Sequence, residues 1–207
     1  MLIKLSDICN KYQIKPEGVL HVGACQMEEL EDYKSQGIST VIWVEGNPDL
    51  VRQNEDKARS EGHLLIQGLI YDVDDLLVDF NLTNNLQSSS ILEFEKHSSY
   101  HPHVTVTKSI KLKTKTLKTL LDSNSIDPLS VDFLNLDIQG VELKAIRGMG
   151  KYLENIKYIY TEINTGEVYK GNDTLKEMDD FLNTKGFERV ETSITPFEWG
   201  DAFYIKK

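Results

Sequence analysis

Gly23 closes the apolar run Val19-Leu20-His21-Val22, and Glu45 closes the next, Thr40-Val41-Ile42-Trp43-Val44. A glycine there lets a ligand approach the backbone closely. An acid about 20 residues further on, ending the second strand, accepts both hydroxyls of a ribose. The pair suggests an adenosine-containing cofactor, with a tight-turn glycine and a solvent-facing acid as the plain alternative. The loop His21-Val22-Gly23-Ala24-Cys25-Gln26 carries one glycine, so it lacks the set that cradles a pyrophosphate at a helix N-terminus. A cofactor without phosphate fits better. S-adenosylmethionine combines ribose and adenine with a sulfonium that an acidic pocket tolerates.

Asp137 ends the run Phe133-Leu134-Asn135-Leu136 and precedes Ile138-Gln139-Gly140-Val141-Glu142. There it would hold the methionine amino group, orient an acceptor or take a proton; the plain alternative is a helix cap. Glu162 and Asn164 end a later run and would join Asp137 around an acceptor hydroxyl. The three could instead ligate a hard divalent cation through oxygen, the less favoured reading because no second carboxylate is clearly placed beside Asp137. His97, His101 and His103 fall within seven residues, as a proton-handling or substrate-reading lid or as a polar surface loop. Trp43 and Trp199 read as packing residues, and the lysines at 108, 111, 113 and 115 as a solvated strand face.

These residues need a scaffold. The chain has 207 residues, 40% hydrophobic and 27% charged, the material of one folded domain over 1–207. Its 33 acids against 23 Lys and Arg leave a net charge of −10. That speaks against nucleic acid and anionic membrane surfaces, which need a basic face. Cys9 and Cys25 are too few for a disulfide framework, and no leader or apolar span is visible, so a cytoplasmic protein is expected.

Apolar spacing predicts a helix within residues 1–16. Strands follow at 19–23, 40–45, 64–70, 104–112, 131–136 and 158–163, and a final pair at 187–191 and 202–205. Helices fall near 27–37, 49–60, 117–122 and 141–153, the last interrupted near Gly148 and Gly150. Thr174-Leu175-Lys176-Glu177 is a capping box that opens another helix. Alternating strand and helix argues an α/β domain with a mainly parallel sheet, the last two strands pairing antiparallel. Ligands of such a sheet bind beyond the carboxyl ends of its strands. Asn81 to Ser90 reads as a loop, and 81–103 as the candidate substrate lid.

One set of residues resembles a family. Leu20-His21-Val22-Gly23-Ala24, Val44-Glu45-Gly46-Asn47-Pro48, Ser88-Ser89-Ser90 and above all Phe133 to Leu143 are similar to the FkbM family of S-adenosylmethionine-dependent O-methyltransferases. Ile146-Arg147-Gly148 and Tyr160-Thr161-Glu162 continue the pattern. The resemblance implies a Rossmann-like class I methyltransferase: a mainly parallel seven-stranded sheet with helices on both faces and an antiparallel strand at its C-terminal end. It implies a methyl passed to a hydroxyl, often of a sugar in a glycan or glycosylated metabolite, with S-adenosylhomocysteine as product.

Carried over, His21, Gly23, Ala24, Glu45, Asn47, Ile70, Tyr71, Asp72 and Asp137 form the cofactor set. Asp137 is the expected base, with Glu162 and the loop histidine His101 as its rivals. Ser89, Ser90, His97, Gln139, Glu142 and Asn164 are the expected acceptor contacts. Cys25-Gln26-Met27 departs from the Asn-x-Gly of many relatives. The chain is short for the family and reads as a domain that a larger polypeptide could contain. The rival classes are a metal-assisted methyltransferase of the catechol type, a non-catalytic glycan- or protein-binding module, and a nicotinamide oxidoreductase. Oligomeric state and acceptor identity are left open.

Overall fold

The computed structural model describes residues 1–207. Its strands are β1 (Gly18–Val22), β2 (Thr40–Glu45), β3 (Leu64–Gln67), β4 (Leu69–Ile70), β5 (Leu77–Thr83), β6 (Val106–Lys115), β7 (Phe133–Leu136), β8 (Tyr158–Asn164), β9 (Phe187–Ile194) and β10 (Trp199–Lys206). Its helices are α1 (Leu5–Tyr12), α2 (Leu30–Ser35), α3 (Pro48–Ser60), α4 (His97–Tyr100), α5 (Leu117–Ser123), α6 (Glu142–Arg147), α7 (Tyr152–Asn155) and α8 (Leu175–Thr184). Seven strands make one sheet in the order β3-β2-β1-β7-β8-β10-β9. The first five run parallel, and β10 is antiparallel to both β8 and β9.

The central strands are apolar on both faces, as a covered parallel sheet requires. Leu20, Val22, Ile42, Val44, Leu134, Leu136 and Ile159 face a core closed by α5, α6, α7 and α8. Val19, Val41, Trp43, Phe133 and Tyr160 face the opposite core, closed by α1, α2 and α3. Helix starts follow local chemistry. Asn47 caps α3 by accepting from the Asp49 amide with Pro48 at the first turn, and Thr174 and Glu177 form the expected box at α8.

Three expectations shift. The run 64–70 splits at Gly68: Leu64–Gln67 joins the main sheet, while Leu69–Ile70 pairs with β6 in a small second sheet ordered β4-β6-β5. Asn81 to Thr83 belong to β5, paired antiparallel with β6, rather than to a loop. Their ladder to β6 outweighs the poor strand propensity of asparagine. The helix near 27–37 starts only at Leu30, because Cys25 and Met27 adopt left-handed backbone, φ 42° and 57°. The order of the sheet reverses at β1, which lies between β2 and β7. A crevice therefore opens beyond the ends of β1 and β7, at Gly23 and Asp137.

Candidate active site

A cavity of about 420 Å³ fills that crevice. Six acids reach its wall: Glu28, Glu29, Glu45, Asp137, Glu162 and Asp201. No lysine or arginine does.

One wall is made by strand ends. Gly23 sits at φ 95°, and a Cβ there would lie 1.8 Å from the Asp137 carbonyl oxygen. Only glycine lets β1 and β7 close at this point. Buried Glu45 accepts from the Cys25 amide at 2.8 Å and the Asn47 amide at 2.7 Å. Each carboxyl oxygen thus keeps an unused lone pair. Burial pushes the Glu45 carboxyl up to about 7 despite these bonds. The loop after β1 is tied down from α3, where Asn54 donates to the Cys25 carbonyl at 2.7 Å and Lys57 to the Gln26 carbonyl at 2.7 Å. Beyond Glu45 the wall turns apolar, with Leu69, Ile70 and Phe80 around Gly46 and Gly68.

The floor is the turn Asp137 to Glu142. Gln139 and Gly140 have φ 59° and 103°. Buried Glu142 braces the turn by accepting from the Ile138 amide at 2.9 Å and the Gly140 amide at 3.1 Å. Ser90 adds a bond to the Gln139 carbonyl at 2.8 Å. A Cβ on Gly140 would press on Asn172 at 3.0 Å and Leu92 at 3.1 Å. The motif is thus a strained turn, its closing acid used as a brace. The Asp137 side chain does not cap α6, whose cap residue is Val141. Asp137 is exposed to the cavity, and its depth at the cavity floor with the neighbouring Asp201 raises its carboxyl to about 6.

The opposite wall comes from residues 85–104, Tyr169 and Trp199. His97 is 4% exposed, stacks on Phe94 at 4.0 Å, and has no hydrogen-bond partner for its Nδ1. Burial and the adjacent histidines lower its imidazole to about 4, so it is neutral. His101 lies 5.1 Å from His97 and 5.0 Å from the exposed Phe197, ring centre to ring centre, and burial lowers it as well.

Of the expected residues, His21, Gly23, Glu45, Ile70, Ser89, His97, His101, Asp137, Gln139 and Glu162 line the cavity. Ala24, Asn47, Tyr71, Asp72, Ser90, Glu142 and Asn164 do not. Ala24 packs into the α1–α3 core, Asn47 caps α3, and Ser90 and Glu142 hold the floor turn. Tyr71 lies under Lys144. Asn164 is buried with neither amide atom paired. No group of three or more His, Cys, Asp or Glu is arranged to hold a metal ion. Phe80, Tyr169 and Asp201 line the cavity without having been expected. Alternation in Val78-Asp79-Phe80-Asn81-Leu82 was the available signal for Phe80, whereas Tyr169 and Asp201 carry none.

The sequence matches the Methyltransferase FkbM domain family over residues 21–189. No curated protein matches it. Among solved structures, magnesium protoporphyrin IX methyltransferase from Synechocystis PCC 6803, with bound S-adenosylmethionine, superposes with TM-score 0.51 at 10% identity, covering 98% of this chain and 76% of that one. An uncharacterised protein from Listeria monocytogenes gives 0.55 at 9% identity, covering 100% and 69%. An S-adenosylmethionine-dependent methyltransferase from Clostridium acetobutylicum gives 0.50 at 8% identity, covering 98% and 89%. The shared fold is the class I methyltransferase sheet. The chain belongs to the FkbM methyltransferase domain family.

Proposed function

We propose that this FkbM-family chain transfers a methyl group from S-adenosylmethionine to a hydroxyl, that of a sugar in a glycan or glycosylated metabolite. The observation that carries the reading is the position of Asp137, on the cavity floor between the strand-end wall and the histidine wall. The residues suit the cofactor. Bare Gly23 leaves room for its methionine part, Glu45 has lone pairs for its ribose, and Leu69, Ile70 and Phe80 offer an apolar slot for adenine. A wall with six acids and no lysine or arginine suits a sulfonium and disfavours a diphosphate.

Bound there, S-adenosylmethionine supplies an activated methyl group. The chain's own residues do the rest. The histidine wall, with Ser89, orients the acceptor hydroxyl over the floor. Holding both reactants at contact distance contributes much of the acceleration. Asp137 takes the hydroxyl proton as the oxygen attacks. Neutral imidazoles suit an uncharged acceptor. Incubation with methyl-labelled cofactor and a panel of neutral glycosides tests this. Label is expected in a glycoside, lost in Asp137→Asn. Bound cofactor with no transfer to any acceptor would favour the non-catalytic binding module.

A further inference from the structure

We propose that Gln139 is a positioning residue that holds Asp137 and Glu162 as a pair sharing one proton, Asp137 being the member left free to act as base. The role of the base rests on the methyl-transfer reading; the pairing stands on geometry alone. Gln139 Nε2 lies 2.6 Å from Asp137 Oδ1 and 2.6 Å from Glu162 Oε2. An amide nitrogen carries two hydrogens, so each carboxyl receives one. The Tyr169 hydroxyl donates to Gln139 Oε1, which fixes the amide's orientation. The Ser90 bond to its carbonyl and the Glu142 brace on either side hold its backbone.

Both carboxyls accept from the same amide nitrogen, which sets Asp137 and Glu162 side by side. Two ionised carboxylates held this close repel each other, and a single proton on the pair removes the repulsion. The surroundings favour keeping that proton. Asp201 from β10 and Glu29 ahead of α2 add negative charge, while burial pushes the Glu142 carboxyl on α6 up to about 8. Tyr160, Tyr169 and buried His21 are neutral. The Met1 amino group lies 3.5 Å from Glu29. Glu162 is 6% exposed whereas Asp137 is exposed to the cavity, and burial with the Asp137 charge holds the Glu162 carboxyl well above its usual range. Glu162, the more deeply buried of the two, therefore keeps the proton.

Glu162 thus serves Asp137 rather than rivalling it. In the transfer, the acceptor oxygen forms a bond to the methyl carbon and the carbon–sulfur bond breaks. The electron pair stays on sulfur, and the hydroxyl proton passes to Asp137.

The test is infrared spectroscopy of the protein without cofactor, in heavy water at neutral pH, on wild type, Glu162→Gln and Gln139→Leu. Wild type should show one more protonated carboxyl than Glu162→Gln. In Gln139→Leu, the carboxylate band of Asp137 should appear at higher pH than in wild type, because one donor to the anion is gone. If Gln139→Leu fails to fold, the Glu162→Gln comparison decides. Identical carboxyl spectra in wild type and Glu162→Gln would overturn the shared proton. With an acceptor in hand, Gln139→Leu should move the acid limb of the turnover–pH profile to higher pH, in step with the Asp137 carboxylate band, and an unmoved limb would overturn the positioning role. Absence of methyl transfer in wild type would count against the functional reading alone, since the spectra need neither cofactor nor acceptor.

Discussion

The two walls of the cavity are built differently. The strand-end wall is backbone against backbone: Gly23 on the Asp137 carbonyl, Glu45 on two amides, and a loop tied to α3 by Asn54 and Lys57. The opposite wall hangs on side chains: a single helical turn at α4, histidines packed on Phe94 and Phe197, and loops between β5 and β6. The first wall is set by the fold and suits a ligand common to many reactions. The second can change by substitution without disturbing the sheet, and so suits the partner that differs between relatives.

If that division holds, variants on each wall should move different constants. The largest effect belongs to the floor shared by both: Asp137→Asn should cut turnover about 10²- to 10⁴-fold while S-adenosylhomocysteine affinity stays within several-fold, read by steady-state kinetics and calorimetry. Gly23→Ala should cost about 1–3 kcal/mol of stability from overpacking, lower the melting temperature and weaken cofactor binding, since its Cβ meets backbone that cannot yield. Glu45→Gln should weaken S-adenosylhomocysteine about tenfold, about 1.4 kcal/mol, and leave the acceptor KM alone. His101→Ala should raise the acceptor KM several-fold with cofactor affinity unchanged. A change in both constants from either of the last two variants would break the comparison.

The smallest effect is one of pH. Burial raises the folded-state Glu45 carboxyl to about 7, above its unfolded value. Its contribution to stability is therefore complete at acid pH and lost as pH rises through about 7. The melting temperature of the cofactor-free protein should fall between about pH 4.5 and 7, and less so in Glu45→Gln. Cofactor affinity should rise as pH passes through about 7, because the ionised carboxyl accepts the ribose hydroxyls better.

The same contrast explains what the sequence disclosed. Gly23, Glu45 and Asp137 follow apolar runs, so their place at strand ends could be read from pattern alone. Ser90 and Glu142 were legible as members of a motif, but not as braces, because their partners are backbone groups of a strained turn. Asn47 was expected at the cofactor, but its side chain is used to cap α3 before Pro48. Tyr169 and Asp201 reach the cavity only through tertiary packing, from a loop after β8 and from β10, and no local pattern marks them. The strand β5 was obscured by its asparagines, since its support comes from β6, more than twenty residues away in sequence.

The central claim is that the strand-end wall binds S-adenosylmethionine. Its most direct test is calorimetric titration of the folded protein with S-adenosylhomocysteine, and in parallel with NAD. One saturable site for S-adenosylhomocysteine, weakened in Glu45→Gln, with no heat from NAD, is the expected result. Saturable binding of NAD with none of S-adenosylhomocysteine, or binding of neither, would contradict it.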